Sequence, residues 1–499
     1  MTAVSAQPAL IESRSPVTGQ SVGTAPVHDA DNVRAIVAEA RKAQESWGAL
    51  AVKERSRHLR QVQRNLAAAG QEIAEAVAEE TGKSVVDGWL EVLAAVGMMR
   101  WVSSHAPRAL RPQRVNTAPM VLKQAAVHYS PYGVVGVISP WNYPAAIPFQ
   151  SIPWILACGN TVVLKPSELS TVTAQRLADA VNSAGLPLIH LVTGYGETGA
   201  ALVRGGVDKL VFTGSGPTGR RIAAAAAETL TPVVMELGGK DALIVCGDAD
   251  VRRAAGAAVA AGFHNAGQTC MAPERAIVVD SAYDAFLAAV RDEVAQLKVG
   301  PGAEDQVGAL TQPGQALVVQ RRVDEAIAAG ARVVAQATAP GTPFFAPLVL
   351  ADVPRDSELW THESFAPVLS VTRVRNEEEA LRVANDSDLG LNGSVFTGSR
   401  KQGKRMALGL VTGGVNVNDA LVGAGIPALP FGGEKGSGYG RLQGRRGFEE
   451  FSRSTSIVTD RFPGAPSLAT KMLAGKRPSV RVLSGIARYG MGGRKASPR

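Results

Sequence analysis

The chain has 499 residues, 45% hydrophobic and 19% charged, with 53 Gly and 29 Pro in no triplet period; that composition excludes a disordered or fibrous chain and leaves room for two to four structural units. Its three cysteines, Cys158, Cys246 and Cys270, exclude a disulfide scaffold, have no zinc-site spacing and fit a reducing, cytoplasmic compartment. The net charge of +8 sits in a tail, Phe462–Arg499, with eight Lys/Arg and no Asp/Glu; the balanced body, with 44 residues of each sign, argues against a nucleic-acid partner.

The N-terminal stretch MTAVSAQPALIESRSP has no basic segment followed by an apolar one, so no secretory leader is expected. Apolar spacing predicts helices over Asp31–Trp47, Lys53–Ala69, Gln71–Thr81 and Val85–Ser104, with Gly70 between the second and the third. The longest stretch without Asp, Glu, Lys or Arg, Gln124–Leu164, holds five prolines and reads as buried strands and loops, not a membrane span. From there, short apolar runs alternate with helical stretches: Val134–Ile138, Thr161–Leu164, Leu188–Val192 and Lys209–Phe212 as strands, Ser170–Ala184 as a helix. The alternation resumes after Gly238-Gly239 with strands at Asp241–Cys246 and Arg275–Val279 and helices at Val251–His264 and Ala282–Leu297. It predicts parallel sheets covered by helices, in two α/β units that meet near Gly238.

Two stretches fit the phosphate-cradling pattern G-x-G-x-x-G, Gly194–Gly199 and Gly214–Gly219, each between a strand-like run and a helix. Either could be a tight turn only. Ser215 would add a hydroxyl donor, and Glu236 stands at about the distance where a dinucleotide fold places its ribose acid. Cys158 and Cys246, with apolar neighbours, read as small buried hydrophobes. Cys270 follows Gly and polar residues in NAGQTCM, where a loop would expose its thiol as a nucleophile.

The blocks SPWNYP (139–144), GNTVVLKPSE (159–168), FTGSGPTG (212–219), MELGGK (235–240), GQTC (267–270), ESFAP (363–367), GVNVND (414–419) and PFGGEKGSGYGR (430–441) resemble, in order, those of the NAD(P)-dependent aldehyde dehydrogenase superfamily over about residues 12–458. The resemblance implies a Rossmann-type cofactor domain (1–117 and 133–238), an α/β catalytic domain (239–440) and a small β oligomerisation element (118–132 and 441–461), followed by the 462–499 tail. It implies Cys270 as nucleophile, Asn142 with the Cys270 N–H as oxyanion donors, and Glu236 as general base, a role different from the ribose ligand that spacing alone suggests. NAD would be held by Trp141, Lys165, Glu168, Gly214, Ser215, Gly219, Glu363 and Phe365; a carboxylate at 168 would repel the 2′-phosphate of NADP. Ala366 stands where the family commonly has Gly, and without glycine's φ freedom the loop is expected to sit differently.

The tunnel positions implied by the family are Tyr143, Ile147, Gln150, Thr269, Met271, Gly425 and Phe431, none cationic. The segment CMAP after the nucleophile resembles members that handle lipophilic aldehydes. The reading is oxidation of an apolar aldehyde (aliphatic, aromatic or apocarotenoid), with succinate semialdehyde as the alternative and no metal. Transfer of the acyl group to CoA is disfavoured by Glu236. A homodimer or homotetramer follows from the resemblance, and the basic tail would suit peripheral contact with an anionic membrane.

Overall fold

A computed structural model of the chain describes residues 9–118, 120, 122–302, 304–312, 314–462 and 479–485. Val121 and most of the basic tail, 463–478 and 486–499, lie outside the described residues. The helices occupy Ala30–Ala49, Val52–Ala68, Gly70–Thr81 and Val85–Ala109. The second and third helices part at Ala69, one residue before the expected Gly70, which opens the third helix; a Cβ at Gly70 would meet the Trp89 ring at 2.5 Å, so glycine also serves close packing there.

Five parallel strands follow: β1 (Val134–Ile138), β2 (Thr161–Lys165), β3 (Ile189–Leu191), β4 (Lys209–Thr213) and β5 (Val233–Glu236). They lie in the order β5-β4-β1-β2-β3. Their apolar runs are buried because both faces are covered. Trp47, Phe149 and Trp154 belong to one face's core. Val33, Ile138, Phe212 and Met235 belong to the other.

The boundary expected near Gly238 falls between β5 and the second sheet: β6 (Asp241–Val245), β7 (Pro273–Val279), β8 (Arg332–Gln336), β9 (Leu348–Ala351), β10 (Val368–Val374), β11 (Asn392–Phe396) and β12 (Gly414–Val417). Its order is β8-β9-β10-β7-β6-β11-β12, parallel except for β8 against β9. Phe263, Phe286 and Phe396 fill its core.

The chain then returns to the first unit earlier than the expected spans allow. Gly438–Tyr439 pairs antiparallel with β5, and the Gly444–Glu450 helix brings Phe448, with Phe451 just after it, into the first core, where Trp154 Nε1 donates to the Gly444 carbonyl. The peripheral β element is therefore narrower than 441–461. Ser452–Asp460 pairs over nine residues with Lys123–Pro131, which in turn pairs with Gln113–Val115. Among the described residues the outer edge of Ser452–Asp460 is unpaired. No helix among them is long and apolar enough to cross a membrane.

Candidate active site

In a sheet ordered β5-β4-β1-β2-β3 the connections leave β1 in opposite directions, opening a crevice between β1 and β4 at their carboxyl ends. The loop after β1 carries Trp141 and Asn142 into it. The loop after β4 carries Gly214 and Ser215. Ser215 is the N-cap of the 12-residue helix Gly216–Ala227 and makes no side-chain cap hydrogen bond, so the first-turn N–H groups face the crevice unclaimed by that side chain. Gly219 lets this helix approach Leu237; a Cβ would meet it at 2.6 Å. The other glycine loop does a different job. The Thr198 hydroxyl fills the space beside Gly194 and donates to the His28 carbonyl at 2.7 Å, closing the turn after β3.

Cys270 stands between two cavities. One, of about 460 Å³, is lined by Trp141, Gly214, Ser215, Gly238, Glu363 and Phe365. Lys165 ends β2 and Glu168 follows it in the next loop, and neither lines this cavity; burial lowers the Lys165 pKa, opposed by Glu168. The other cavity, of about 600 Å³, is lined by all seven predicted tunnel residues. Both share Cys270, Glu236 and Ile147. Sequence reasoning missed much of the second wall. Leu90, Ala94 and Met98 come from one face of the Val85–Ala109 helix, and Val422 and Ile426 from the loop after β12. The i, i+4, i+8 spacing of the first three was the available signal.

The electrostatics divide the labour. Glu236 is 3% exposed, and neither of its carboxylate oxygens has a hydrogen-bond partner among the described residues. Burial pushes its pKa up to about 8, with Arg441 opposing. Burial and the nearby carboxylates of Glu363, Asp241 and Glu236 raise the Cys270 thiol above its ordinary value. A thiol held protonated needs a base before it can attack, and the Glu236 carboxyl group, without a hydrogen-bond partner among the described residues, is chemically able to serve as one. Burial, then Glu274, raises Glu363 to about 8; its Oε1 accepts from the Gly239 N–H at 3.3 Å. Asn142 Nδ2 donates to the Gln268 carbonyl at 3.0 Å, which leaves its second N–H for a substrate oxygen. Tyr143 shares a 2.7 Å hydrogen bond with Thr269. Cys158 is raised to about 12 and Cys246 to about 11, chiefly by burial, which keeps both thiols protonated.

The backbone that presents Cys270 is unusual. Asn265, Ala266 and Gly267 are consecutively left-handed, with φ of 52°, 54° and 71°. The expectation for Ala366 is corrected here. The left-handed residue of ESFAP is Phe365, φ 52°, and not Ala366, so alanine causes no strain. Glu274, which sequence reasoning also missed, holds that loop by accepting from the Ser364 N–H at 2.9 Å and the Phe365 N–H at 3.1 Å, with Lys240 as its ion-pair partner. Phe365 then stands edge-on to Trp141, centroids 5.7 Å apart. A Cβ on Gly267 would lie 2.2 Å from the Ala366 carbonyl carbon. Gly267→Ala is thus expected to push the Cys270 and Phe365 loops apart. Its kcat/KM should fall about 100-fold, as for a displacement near 1 Å, with a lower Tm; unchanged kinetics would contradict this packing.

A family model described as the aldehyde dehydrogenase family matches residues 3–457. The chain belongs to the aldehyde dehydrogenase family. It is 36% identical over 456 residues to the 4,4'-diapolycopene aldehyde oxidase of a Methylomonas species, covering 90% of this chain and 86% of that protein. Among solved structures, it resembles an NAD-dependent aldehyde dehydrogenase from Sinorhizobium meliloti (TM-score 0.88, 33% identity, 92% and 93% of the two chains). It also resembles a succinate-semialdehyde dehydrogenase from Burkholderia pseudomallei (TM-score 0.87, 31% identity, 91% and 95% covered). As an aldehyde dehydrogenase it carries out NAD(P)-dependent oxidation of an aldehyde, and both the aldehyde dehydrogenase fold and the two α/β sheets expected from the sequence are present.

Proposed function

We propose that this aldehyde dehydrogenase oxidises an apolar aldehyde (aliphatic, aromatic or apocarotenoid) to the carboxylic acid, with Cys270 as nucleophile and NAD as the preferred cofactor. The observation that carries the substrate class is the 600 Å³ cavity behind Cys270. No Lys or Arg is among its lining residues, and its one histidine, His264, has its pKa lowered, mainly by burial. A substrate carboxylate placed there would lack a cationic partner. The name of the Methylomonas relative supports the same class.

The aldehyde enters that cavity with its carbonyl at Cys270. Glu236 takes the thiol proton, the sulfur adds to the carbonyl carbon, and the oxyanion is held by the Asn142 side chain and the Cys270 N–H. NAD bound in the switch-point crevice supplies the hydride acceptor. Once loss of the hydride has left the Cys270 thioester and Glu236 has passed the thiol proton to solvent, Glu236 takes a proton from the water that attacks the thioester carbonyl, releasing the carboxylic acid and the Cys270 thiolate, which is reprotonated. The open helix terminus at Ser215 fits a pyrophosphate, and Glu168 favours a free ribose 2′-hydroxyl over a phosphate. The test is reduced-cofactor formation from hexanal, decanal, benzaldehyde, an apocarotenal and succinate semialdehyde, each with NAD and NADP. The expected result is kcat/KM rising with apolar size, and NAD favoured. Preference for succinate semialdehyde would replace this reading with the alternative.

Two coarser features extend the proposal. The unpaired edge of Ser452–Asp460, with Val458 62% exposed, is a surface that a second copy would cover, giving a homodimer or homotetramer; a monomer in sedimentation would overturn it. The basic tail would bring a cytoplasmic enzyme to anionic membranes, where lipophilic aldehydes collect. Removing 462–499 should then weaken binding to phosphatidylserine vesicles and lower activity on long-chain aldehydes presented in them. Unchanged values for both would dismiss the idea.

A further inference from the structure

We propose that the buried ion pair Lys83–Glu91 is a positioning device for the oxyanion donor Asn142. The inference rests on the role proposed above for Asn142. Lys83 precedes the Val85–Ala109 helix and Glu91 lies within it, and both side chains are 3% exposed. Lys83 Nζ donates to Glu91 Oε1 at 2.7 Å and to the Asn142 carbonyl at 2.7 Å. The other oxygen of Glu91 accepts from the backbone N–H groups of Ala145 and Ala146 at 2.9 and 3.0 Å. The pair therefore grips three backbone groups in five residues of the loop that carries Asn142. Lys83 Nζ also sits 4.3 Å above the centre of the Tyr143 ring, fixing the residue between them.

From the opposite side, Asn265 Nδ2 donates to the same Asn142 carbonyl at 2.9 Å, and also to the Gln268 carbonyl at 3.2 Å. That second carbonyl is the one that receives Asn142 Nδ2. The side chain that must meet the developing oxyanion is thus fixed at its backbone by Lys83 and at its amide by the Cys270 loop. Buried ion pairs are inefficient stabilisers, since apolar residues of similar volume often serve as well. This one makes contacts that an apolar pair could not make, all to one loop. Oxyanion stabilisation depends on donors held in place before the charge develops, so a clamp on the donor's backbone acts on kcat and not on cofactor affinity.

A double-mutant cycle on the full-length enzyme tests this, using kcat/KM for decanal and NAD affinity by fluorescence quenching. Asn142→Ala should lower kcat/KM by about 10²–10³-fold, the usual cost of one oxyanion donor. Lys83→Met should lower it about 10–100-fold with unchanged NAD affinity. The double variant should match Asn142→Ala within about threefold, because Lys83 acts through Asn142. Should Lys83→Met fail to fold, Lys83→Met with Glu91→Gln removes both charges and takes its place in the cycle. Multiplying losses, or a Lys83 variant with wild-type kcat/KM, would overturn the proposal. Failure of the Asn142 reading looks different: Asn142→Ala would keep wild-type activity whatever Lys83 does, and this proposal would fall with it.

Discussion

Replacing Cys270 by alanine is expected to lower kcat/KM for aldehyde oxidation by about 10⁴–10⁶-fold, the range found when a nucleophile is removed from a covalent mechanism. Cys270 lines both cavities of the site, and neither Cys158 nor Cys246 lines either one. Cys158 and Cys246 are buried, and Cys158 donates to the Phe448 carbonyl at 3.5 Å. Alanine at either should therefore leave turnover within a few-fold of wild type. Serine at 270 should be nearly as damaging as alanine, because a hydroxyl is a far weaker nucleophile when its base is a carboxylate. Steady-state assays with all three alanine variants check this. Turnover within tenfold of wild type in Cys270→Ala would remove the thiol from the mechanism.

The second large effect is expected at Glu236. Glu236→Gln should reduce kcat by about 10²–10⁴-fold, the usual contribution of a general base, with NAD affinity spared. Lost NAD affinity with intact chemistry would instead restore the ribose-ligand reading that spacing suggests. The pH dependence has a definite sign. The acting form is the carboxylate, and with a pKa of about 8 the wild-type rate should rise up to about pH 8 and fall as pH drops below it. Stability runs the other way. A carboxyl whose folded pKa is raised contributes stability fully below its unfolded value near 4.5 and loses it as pH rises through 8. At pH 9 the buried, unpartnered charge costs roughly 3–5 kcal/mol, so Glu236→Gln should melt higher than wild type at pH 9 and alike at pH 5. A rate independent of pH between 6 and 9 would contradict the assignment.

How much of this the sequence disclosed differs by kind of residue. Six of the twelve strands, β1 to β4 in the first sheet and β6 and β7 in the second, were legible because each is a short, largely buried apolar run, and their ends fell within a residue or two; β5 and β8 to β12 were not assigned. That Cys270, Glu236 and Asn142 meet at one cavity was legible through ordered motif blocks. Lys83, Glu91 and Glu274 were not, although each touches the backbone of a loop carrying an active-site residue. They act on main-chain groups, which have no sequence identity, and Lys83 lies 59 positions from the carbonyl it holds. Ala366 was misjudged for a related reason. What a small residue does depends on its neighbour in space: the Trp89 ring for Gly70, and the left-handed Phe365 for Ala366.

The return of residues 438–451 to the first unit has a consequence for synthesis. Trp154 is finished by Gly444, 290 positions later, and Phe448 and Phe451 close the same core. At roughly 5–20 residues per second, a ribosome leaves that core incomplete for about 15–60 s, while the whole second unit is made first. The nascent chain therefore carries an open aromatic cleft through most of translation, a natural place for a chaperone to wait.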